Sequence, residues 1–331
     1  MKSSVLPLIV ILLSVCTAIG GQLYGWKRVF TVDGLGNPLA INPLNAHTIY
    51  GSVLEANVGG ISVSYDDGHT WQLLTLVPGG MHVKSIIIDP LDTLTILIGQ
   101  EGLLADRVMK SFDGGATWVQ TLSGDFSFYG VPLEFNGAHP DTVYTMTSAS
   151  LYRSVDFGTS WTLVNSQTGF NAWCDAALRP DSVNIMYIGD NSSGIWKTTD
   201  GGVSFRHVYQ TTGEIPMIAI NQQNPAVAYA TKYGGGGGIL KSTNYGESWD
   251  AIPAFNGLNC WGIAIGIQQP NLVLMGTYQP ANSLFSTFVS IDYGASWLPI
   301  NCGLSSFLNY GALVLDSARI FILQGDGGYT L

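Results

Sequence analysis

Charged residues are scarce in this sequence. Only 11% of its 331 residues are charged, and 13 basic against 23 acidic side chains give a net charge of −10. Ordinary soluble proteins are about 25% charged. An acidic chain this poor in Lys and Arg lacks the basic patches with which nucleic-acid-binding proteins neutralise phosphates. Disorder is excluded too, because 46% of the residues are apolar and 11% are aromatic.

Metal-ligating residues are also few. Four cysteines and five histidines are scattered along the chain without a C-x-x-C pattern, so we expect no metal site and no cofactor. Cys174, Cys260 and Cys302 remain once the first twenty-one residues are set aside. Cys260 and Cys302 lie in consecutive repeats and are the better-placed pair for a disulfide in an exported chain.

No apolar run reaches the roughly twenty residues that a membrane span needs. Residues 1–21 have the features of an export signal instead: Lys2, the apolar stretch Val5 to Val15, and small residues at Ala18 and Gly20. We therefore expect a signal peptide over 1–21 and a mature chain over 22–331. That chain is predicted to be secreted, periplasmic or at the cell surface, with no membrane span after cleavage.

Helical periodicity is missing as well, and a repeat takes its place. One eight-residue motif occurs six times, as SYDDGHTW, SFDGGATW, SVDFGTSW, TTDGGVSF, STNYGESW and SIDYGASW, starting at residues 64, 111, 154, 198, 242 and 290. We refer to these segments as the octapeptide turns. Their spacing of 43 to 48 residues is typical of a propeller or solenoid built from one repeated unit.

The chemistry of the octapeptide turns predicts a structural role. An Asp or Asn at the third position can accept hydrogen bonds from the backbone of its own turn, and the Gly two residues later can adopt positive φ. We therefore assign a structural role to one residue in each copy: Asp66, Asp113, Asp156, Asp200, Asn244 and Asp292.

Pairs of apolar strands precede the octapeptide turns, and there are seven such pairs against six turns. After the last pair, only residues 327–331 remain, enough for a third strand, while Trp26 to Val29 resembles a fourth strand. The sequence thus predicts an all-β fold: a single seven-bladed β-propeller of four-stranded antiparallel blades. Pairing of the N- and C-terminal segments is expected to close the ring.

The S-x-D-x-G-x-[TS]-W pattern resembles the Asp-box, or BNR, repeat. Proteins that carry it include sialidases, xyloglucan-cleaving glycoside hydrolases, sortilin-type receptors and photosystem II assembly-factor propellers. The resemblance implies the fold more than a function. Sialidases and the assembly factors use arginine-rich sites, whereas this acidic chain has six arginines.

The nearest local match is to the xyloglucan-cleaving enzymes. Their first blade carries Thr-Asp-Val-Gly-Gly with a catalytic Asp, and the corresponding stretch here begins Ala56-Asn57-Val58. An amide cannot act as acid, base or nucleophile, and glycosidases use two acids that flank the scissile bond. The resemblance therefore implies sugar binding rather than turnover.

Two tryptophans, Trp173 and Trp261, have no role imposed by the repeat. They precede innermost strands, in loops expected around one mouth of the central channel, where aromatic rings could stack on sugars. The alternative is that they plug the channel or pack between blades. The ligand-binding candidates are Trp173, Trp261, Tyr129, Tyr310, Asn57 and Glu55.

Three functional hypotheses follow. The first is an exported, monomeric propeller that binds a glycan or an extracellular protein without turnover. The second is a glycoside hydrolase whose acids are Asp175 and Glu214, which are predicted in adjacent loops; solvated loop acids are the alternative interpretation. The third is an interaction scaffold that uses a blade edge or the face bearing the octapeptide turns.

Overall fold

The computed structural model describes residues 27–30, 38–126, 133–147, 150–166, 169, 172–278, 287–300, 304, 309–317, 319–324 and 327–330. The predicted signal peptide, Trp26, Tyr129 and Cys302 lie outside these ranges. Within them, no helix has the length and apolar character needed to cross a membrane.

The described residues form strands joined by short turns, with a single turn of 3-10 helix at Pro253–Phe255. The strands are β1 (Lys27–Phe30), β2 (Leu39–Asn42), β3 (Asn45–Glu55), β4 (Val58–Ser64), β5 (Gln72–Leu76), β6 (Gly80–Ile88), β7 (Ile96–Gly102), β8 (Asp106–Ser111), β9 (Val119–Gly124), β10 (Glu134–Asn136), β11 (His139–Met146), β12 (Leu151–Ser154), β13 (Thr162–Asn165), β14 (Trp173–Leu178), β15 (Met186–Asp190), β16 (Gly194–Thr198), β17 (Arg206–Gln210), β18 (Ile218–Ile220), β19 (Ala228–Lys232), β20 (Gly238–Ser242), β21 (Asp250–Ala251), β22 (Cys260–Ile265), β23 (Val273–Thr277), β24 (Thr287–Ser290), β25 (Leu298–Pro299), β26 (Asn309–Asp316), β27 (Arg319–Gln324) and β28 (Gly327–Thr330).

These strands make seven sheets of four antiparallel strands each. Blade one is β2 to β5, and blades two to six follow in the same consecutive order. Blade seven consists of β26, β27, β28 and β1. The first strands of blades two to seven border a common cavity, so the first strand of a blade is its innermost. The predicted all-β, seven-bladed propeller is confirmed.

Blade seven draws its strands from both ends of the described chain. Strand β1 runs antiparallel to β28, with Lys27 opposite Thr330 and Arg28 opposite Tyr329. Blade seven also contacts blade one, because Arg319 donates from Nη1 to Asp67 Oδ1 at 3.1 Å.

Apolar residues of neighbouring sheets interdigitate to form the core. Between blades one and two, for example, Ile61 and Val63 pack with Ile86 and Ile98, and all four are buried. Burial of each such side chain stabilises the folded state by about 1.5–3 kcal/mol, because its apolar surface is removed from water. The core is therefore a ring of inter-blade clusters around the axis.

The octapeptide turns have the predicted hydrogen bonds. In every copy the third-position side chain accepts from the backbone N–H four residues later. Asp156, for instance, accepts from Ser160 N at 2.9 Å and from Ser160 Oγ at 2.6 Å. The fifth-position glycines have φ between 69° and 94°, where side chains with a Cβ are strained.

Blades two, four and five are also tied to the octapeptide turn of the blade that follows each of them. A lysine near the end of the third strand donates to a backbone carbonyl of that turn. The pairs are Lys110 to Phe157 O at 2.8 Å, Lys197 to Tyr245 O at 2.6 Å and Lys241 to Tyr293 O at 2.6 Å. Three of the few basic side chains thus form hydrogen bonds between blades.

Replacing Asp156 with alanine is expected to lower the free energy of unfolding by about 1–3 kcal/mol, because turn donors lose their acceptor. Urea denaturation measures this change. Asp156→Asn is the matched control: Asn244 performs the same task in blade five, where its Oδ1 accepts from Ser248 N at 3.1 Å. Equal losses in the two variants would contradict the role given to the side-chain acceptor.

Candidate functional site at the central channel

The innermost strands of blades two to seven line an open cavity of about 430 Å³ on the ring axis. Its polar side carries Lys84, Glu134 and Asp175 from blades two, three and four. Its apolar side is built by blades six and seven, including Ile263 and Val314. The volume lies in the range of small-molecule sites, about 300–1,000 Å³, which combine apolar walls with a few polar groups.

Glu134 and Asp175 each bind the innermost strand of the following blade. Asp175 Oδ2 accepts from the backbone N–H of Ile218 at 2.7 Å, and Glu134 Oε2 accepts from that of Leu178 at 3.4 Å. An innermost strand is the edge of its sheet. Its backbone N–H groups that point away from the sheet therefore need hydrogen-bond acceptors from outside that sheet. The two acids supply such partners inside the channel.

Burial dominates the electrostatics of both acids. It raises the pKa of Glu134 well above its ordinary value; the charge of Asp175 adds to this rise, and the Leu178 N–H opposes it. Burial also raises the pKa of Asp175 to about 7, against the opposing hydrogen bonds from Ile218 and Ala176. Near neutral pH these carboxyl groups can therefore donate a hydrogen bond or ionise beside a cation.

The predicted pair of Asp175 with Glu214 is not the one that forms in the channel. Asp175 lies in strand β14 rather than in a solvated loop, and it is Glu134 whose pKa it raises. Glu214 precedes β18 and forms a backbone bridge with Tyr233, donating from its N–H to Tyr233 O at 2.8 Å. Both Glu214 and Asp175 raise the pKa of the buried Cys174 thiol, after burial itself.

Trp173 is part of the core rather than of an open surface. Its side chain is 0% exposed, and Nε1 donates to Thr147 O at 2.9 Å. The ring packs with Tyr144 and Leu178 in the cluster between blades three and four. The expected sugar-stacking position at the channel mouth is therefore wrong for Trp173, and packing between blades is the correct alternative.

Trp261 lines the cavity with only 4% of its surface exposed. Two tyrosines cover it: the Tyr278 ring is 4.9 Å away and tilted by 36°, and the Tyr233 ring is 5.6 Å away and edge-on. Both tyrosines are half-buried. We call Tyr233, Trp261 and Tyr278 the aromatic rim. The exposed stacking surface lies on the tyrosines, which the sequence did not single out as ligand-binding residues.

Tyr233 is held by the glycine run that follows it. All five residues from Gly234 to Gly238 have positive φ. A Cβ at Gly237 would lie 2.1 Å from Leu258 O, and Gly238 N donates to that same carbonyl at 2.8 Å. The glycine run is therefore hydrogen-bonded to the neighbouring loop.

Asn57 occupies a two-residue hairpin turn on the same end of the ring. Ala56 and Asn57 have φ of 50° and 65°, and Glu55 pairs with Val58 across the turn. Two consecutive positive φ values define the turn type in which Asn is favoured. Backbone geometry thus accounts for Asn57, while its side chain and that of Glu55 are exposed.

Two further ligand-binding candidates are Tyr129 and Tyr310. Tyr129 lies outside the described residues, and Tyr310 is known only as a position within β26. Cys174 and Cys260 carry buried free thiols, and Cys302, the expected partner of Cys260, lies outside the described residues. Across the described ranges, no group of three or more His, Cys, Asp or Glu side chains could hold a metal ion.

Comparison with known proteins places the chain near xyloglucanases in sequence. It is 24% identical over 290 residues to a xyloglucanase of Paenibacillus sp, covering 79% of this chain and 26% of that protein. It is 27% identical over 211 residues to a xyloglucanase of Hypocrea jecorina (strain QM6a), covering 51% and 25% respectively. The chain spans about a quarter of the length of these curated relatives. No protein-family model matches it.

Solved structures show the same architecture. The GH74 xyloglucanase of Xanthomonas campestris superimposes with a TM-score of 0.75 at 16% identity, covering 92% of this chain and 53% of that one. YCF48 bound to a D1 peptide superimposes with a TM-score of 0.67 at 17% identity, covering 95% and 96%. The fold is thus a seven-bladed propeller similar to those of GH74 xyloglucanases and YCF48.

Proposed function

We propose that this propeller binds a polysaccharide of the xyloglucan type across the mouth of its channel, without cleaving it. The observation that carries the proposal is the aromatic rim, whose half-buried Tyr233 and Tyr278 lie over Trp261 beside a partly polar cavity. The similarity to xyloglucanases supports the choice of ligand class.

The rim suits sugar rings for physical reasons. A sugar presents an apolar C–H face and a girdle of hydroxyls, so it binds where a flat ring lies beside hydrogen-bonding groups. The contacts among Tyr233, Trp261 and Tyr278 fix the tyrosine rings, which reduces the conformational entropy lost on binding. Exposed Glu55 and Asn57 lie on the same end of the ring and can orient hydroxyls.

Asn57 supports binding without turnover. The resemblance to xyloglucan-cleaving enzymes puts a catalytic Asp at this position, and an amide cannot transfer the proton or form the glycosyl intermediate. The left-handed turn at Ala56 and Asn57 gives the amide a backbone role instead.

Removing a rim tyrosine is the direct test. Tyr278→Ala is expected to weaken binding of a xyloglucan oligosaccharide by about 1 kcal/mol, roughly fivefold, through loss of a stacking face. Isothermal titration calorimetry measures the affinity. The matched control is Tyr65→Ala, which removes a 57% exposed ring from an octapeptide turn. Unchanged affinity in Tyr278→Ala and Tyr233→Ala, or an equal loss in the control, would argue against the rim.

A glycoside hydrolase is the second candidate, and one observation favours it: Glu134 and Asp175 share a cavity and both have raised pKa values. A protonated acid beside a carboxylate is the pair that glycosidases use. Release of reducing ends from xyloglucan, abolished in Glu134→Gln and Asp175→Asn while binding is kept, would replace the binding proposal with this one. The absence of any release would leave binding as the function.

Export and a monomeric state remain predictions. N-terminal sequencing of secreted protein tests cleavage near Gly21, and sedimentation of the mature chain tests its mass in solution.

A further inference from the structure

The aromatic rim is assembled from three separate stretches of chain. Tyr233 follows the second strand of blade five, Trp261 lies in the first strand of blade six, and Tyr278 follows the second strand of that blade. The rings of Tyr233 and Tyr278 also contact each other edge-on, with centroids 5.4 Å apart. Because both tyrosines lie just beyond their strands, contacts outside the sheets determine where the two rings stand.

One residue makes a hydrogen bond to each of the two tyrosine segments. Asn259 Oδ1 accepts from the backbone N–H of Gly234 at 3.0 Å, and Asn259 O accepts from the backbone N–H of Tyr278 at 2.8 Å. Asn259 is half-buried and comes two residues before Trp261 in the chain. A single residue thus joins the chain segments that carry all three rings of the rim.

The side chain of Asn259 matters because of the glycine run that follows Tyr233. Gly234 to Gly238 have no side chains to pack, and glycine loses more conformational freedom on ordering than any other residue. Two ties between this run and residues 257–258 join backbone to backbone, at 2.7 and 2.8 Å. Any residue can make such ties, whereas the bond to Gly234, beside Tyr233, requires an acceptor side chain at position 259.

The bond from Gly234 to Asn259 also fixes Tyr233 on its second side. On the first side, the N–H of Tyr233 donates to Glu214 O at 3.0 Å, and the carbonyl of Tyr233 accepts from Glu214 N at 2.8 Å. The bond to Asn259 crosses from blade five to the segment that leads into blade six. It therefore sets the position of Tyr233 relative to the two rings that blade six supplies.

We propose that Asn259 is a positioning residue for the aromatic rim: its side-chain oxygen holds Tyr233 beside the rings of blade six, and its main-chain oxygen holds Tyr278. This role in glycan binding rests on the proposed function. Rings that are already fixed lose less conformational entropy when a sugar stacks on them, so Asn259 strengthens binding without contacting the sugar itself.

The test is calorimetric titration of the whole chain with a xyloglucan oligosaccharide. Asn259→Ala removes the side-chain acceptor, keeps the main-chain oxygen, and is expected to weaken binding about three- to tenfold. Asn259→Asp keeps an acceptor oxygen and is expected to retain most of the affinity. The matched control is Asn256→Ala, which removes an exposed amide three residues earlier on the same segment. Unchanged affinity in Asn259→Ala, or an equal loss in Asn256→Ala, would overturn the proposal.

A double-mutant cycle separates positioning from a general loss of structure. The side chain of Asn259 acts through Tyr233, so Asn259→Ala should cause no further loss of affinity in the Tyr233→Ala background. In the Tyr278→Ala background the loss should persist, because the bond to Asn259 Oδ1 involves the segment of Tyr233. Equal added losses in both backgrounds would contradict the positioning role. If Asn259→Ala does not fold, Asn259→Ser, whose side chain is shorter than the amide, takes its place.

The position of the Tyr233 ring can be measured without any sugar, by fluorine NMR of the chain labelled with fluorotyrosine. The Tyr233 resonance is identified by its loss in Tyr233→Phe. We expect Asn259→Ala to move this resonance toward that of a solvent-exposed tyrosine and Asn259→Asp to leave it near its parent position. An unmoved resonance in Asn259→Ala would overturn the positioning role even if xyloglucan binds. A parent chain that binds no xyloglucan would refute the proposed function, and the Tyr233 resonance would then decide the positioning role alone.

Discussion

Replacing Trp173 with alanine is expected to cost about 3–5 kcal/mol of unfolding free energy, as for other fully buried large side chains. The ring is 0% exposed and packs between blades three and four with Tyr144 and Leu178. Truncation would leave a cavity that the flanking strands cannot fill, and the Thr147 carbonyl would lose its indole donor. Urea denaturation at neutral pH measures the loss.

Trp173→Phe is the matched variant, because it keeps most of the ring and removes only the N–H donor. Trp173→Phe should lose less than half of the unfolding free energy that Trp173→Ala loses. Xyloglucan affinity, measured at equal folded fraction, should be the same in both variants and the parent. A Trp173→Ala protein of native stability that no longer binds glycan would show that this tryptophan is a ligand contact after all.

The stability of the parent protein is expected to fall as pH rises through 7, and Asp175→Asn should remove part of that fall. Asp175 has a pKa of about 7 when folded, against about 3.9 in the unfolded chain. The folded state therefore holds a proton that the unfolded state releases between these values, so its stabilising effect is present at low pH and lost above pH 7. A difference of about three pKa units corresponds to a loss of stability of about 4 kcal/mol as an upper limit.

Asp175→Asn is suited to this test because the amide oxygen can still accept from the Ile218 N–H, which the carboxylate does at 2.7 Å in the parent. Denaturation at pH 5 and pH 8 should show that the stability of Asp175→Asn, relative to that of the parent, is greater at pH 8 than at pH 5. Glu134 acts in the same direction, so some slope should remain. Parallel pH profiles of parent and variant would contradict the raised pKa of Asp175.

The fold could be predicted because its determinants are local. An Asp at the third position and a Gly at the fifth fix each octapeptide turn within a few residues, as Asp156 and Gly158 do. Such turns carry the same chemistry in every copy, so six of them reveal the period and the strands between them.

The site could be predicted only in part, because side-chain direction on the innermost strands depends on irregular register. The pairing of β14 with β15 shifts between Trp173 and Asp175, and that of β22 with β23 shifts after Cys260. A bulge of this kind reverses which face a side chain occupies, and nothing in the sequence marks it. The position of Trp173 at the start of an innermost strand therefore does not reveal that its ring lies in the core.

Glu134 was missed for a different reason. It lies within an apolar repeat strand, and its hydrogen-bond donor, the Leu178 N–H, belongs to the next blade. A contact between blades depends on how the sheets are packed, and a single repeat does not encode it. Tyr278 was missed likewise, since its importance comes from contact with Trp261 and Tyr233 of other segments.

Three lysines donate from the third strand of one blade to the turn of its successor, and Arg319 in the second strand of blade seven donates to Asp67 of blade one in the same direction around the ring. Such an interface is heterologous: its two halves differ and each fits the other, so repeated copies form either a closed ring or an endless filament. Seven blades bring the last donor surface onto the first acceptor surface. A chain that lost one blade would carry both surfaces unpaired, and intermolecular association in head-to-tail polymers is the expected consequence.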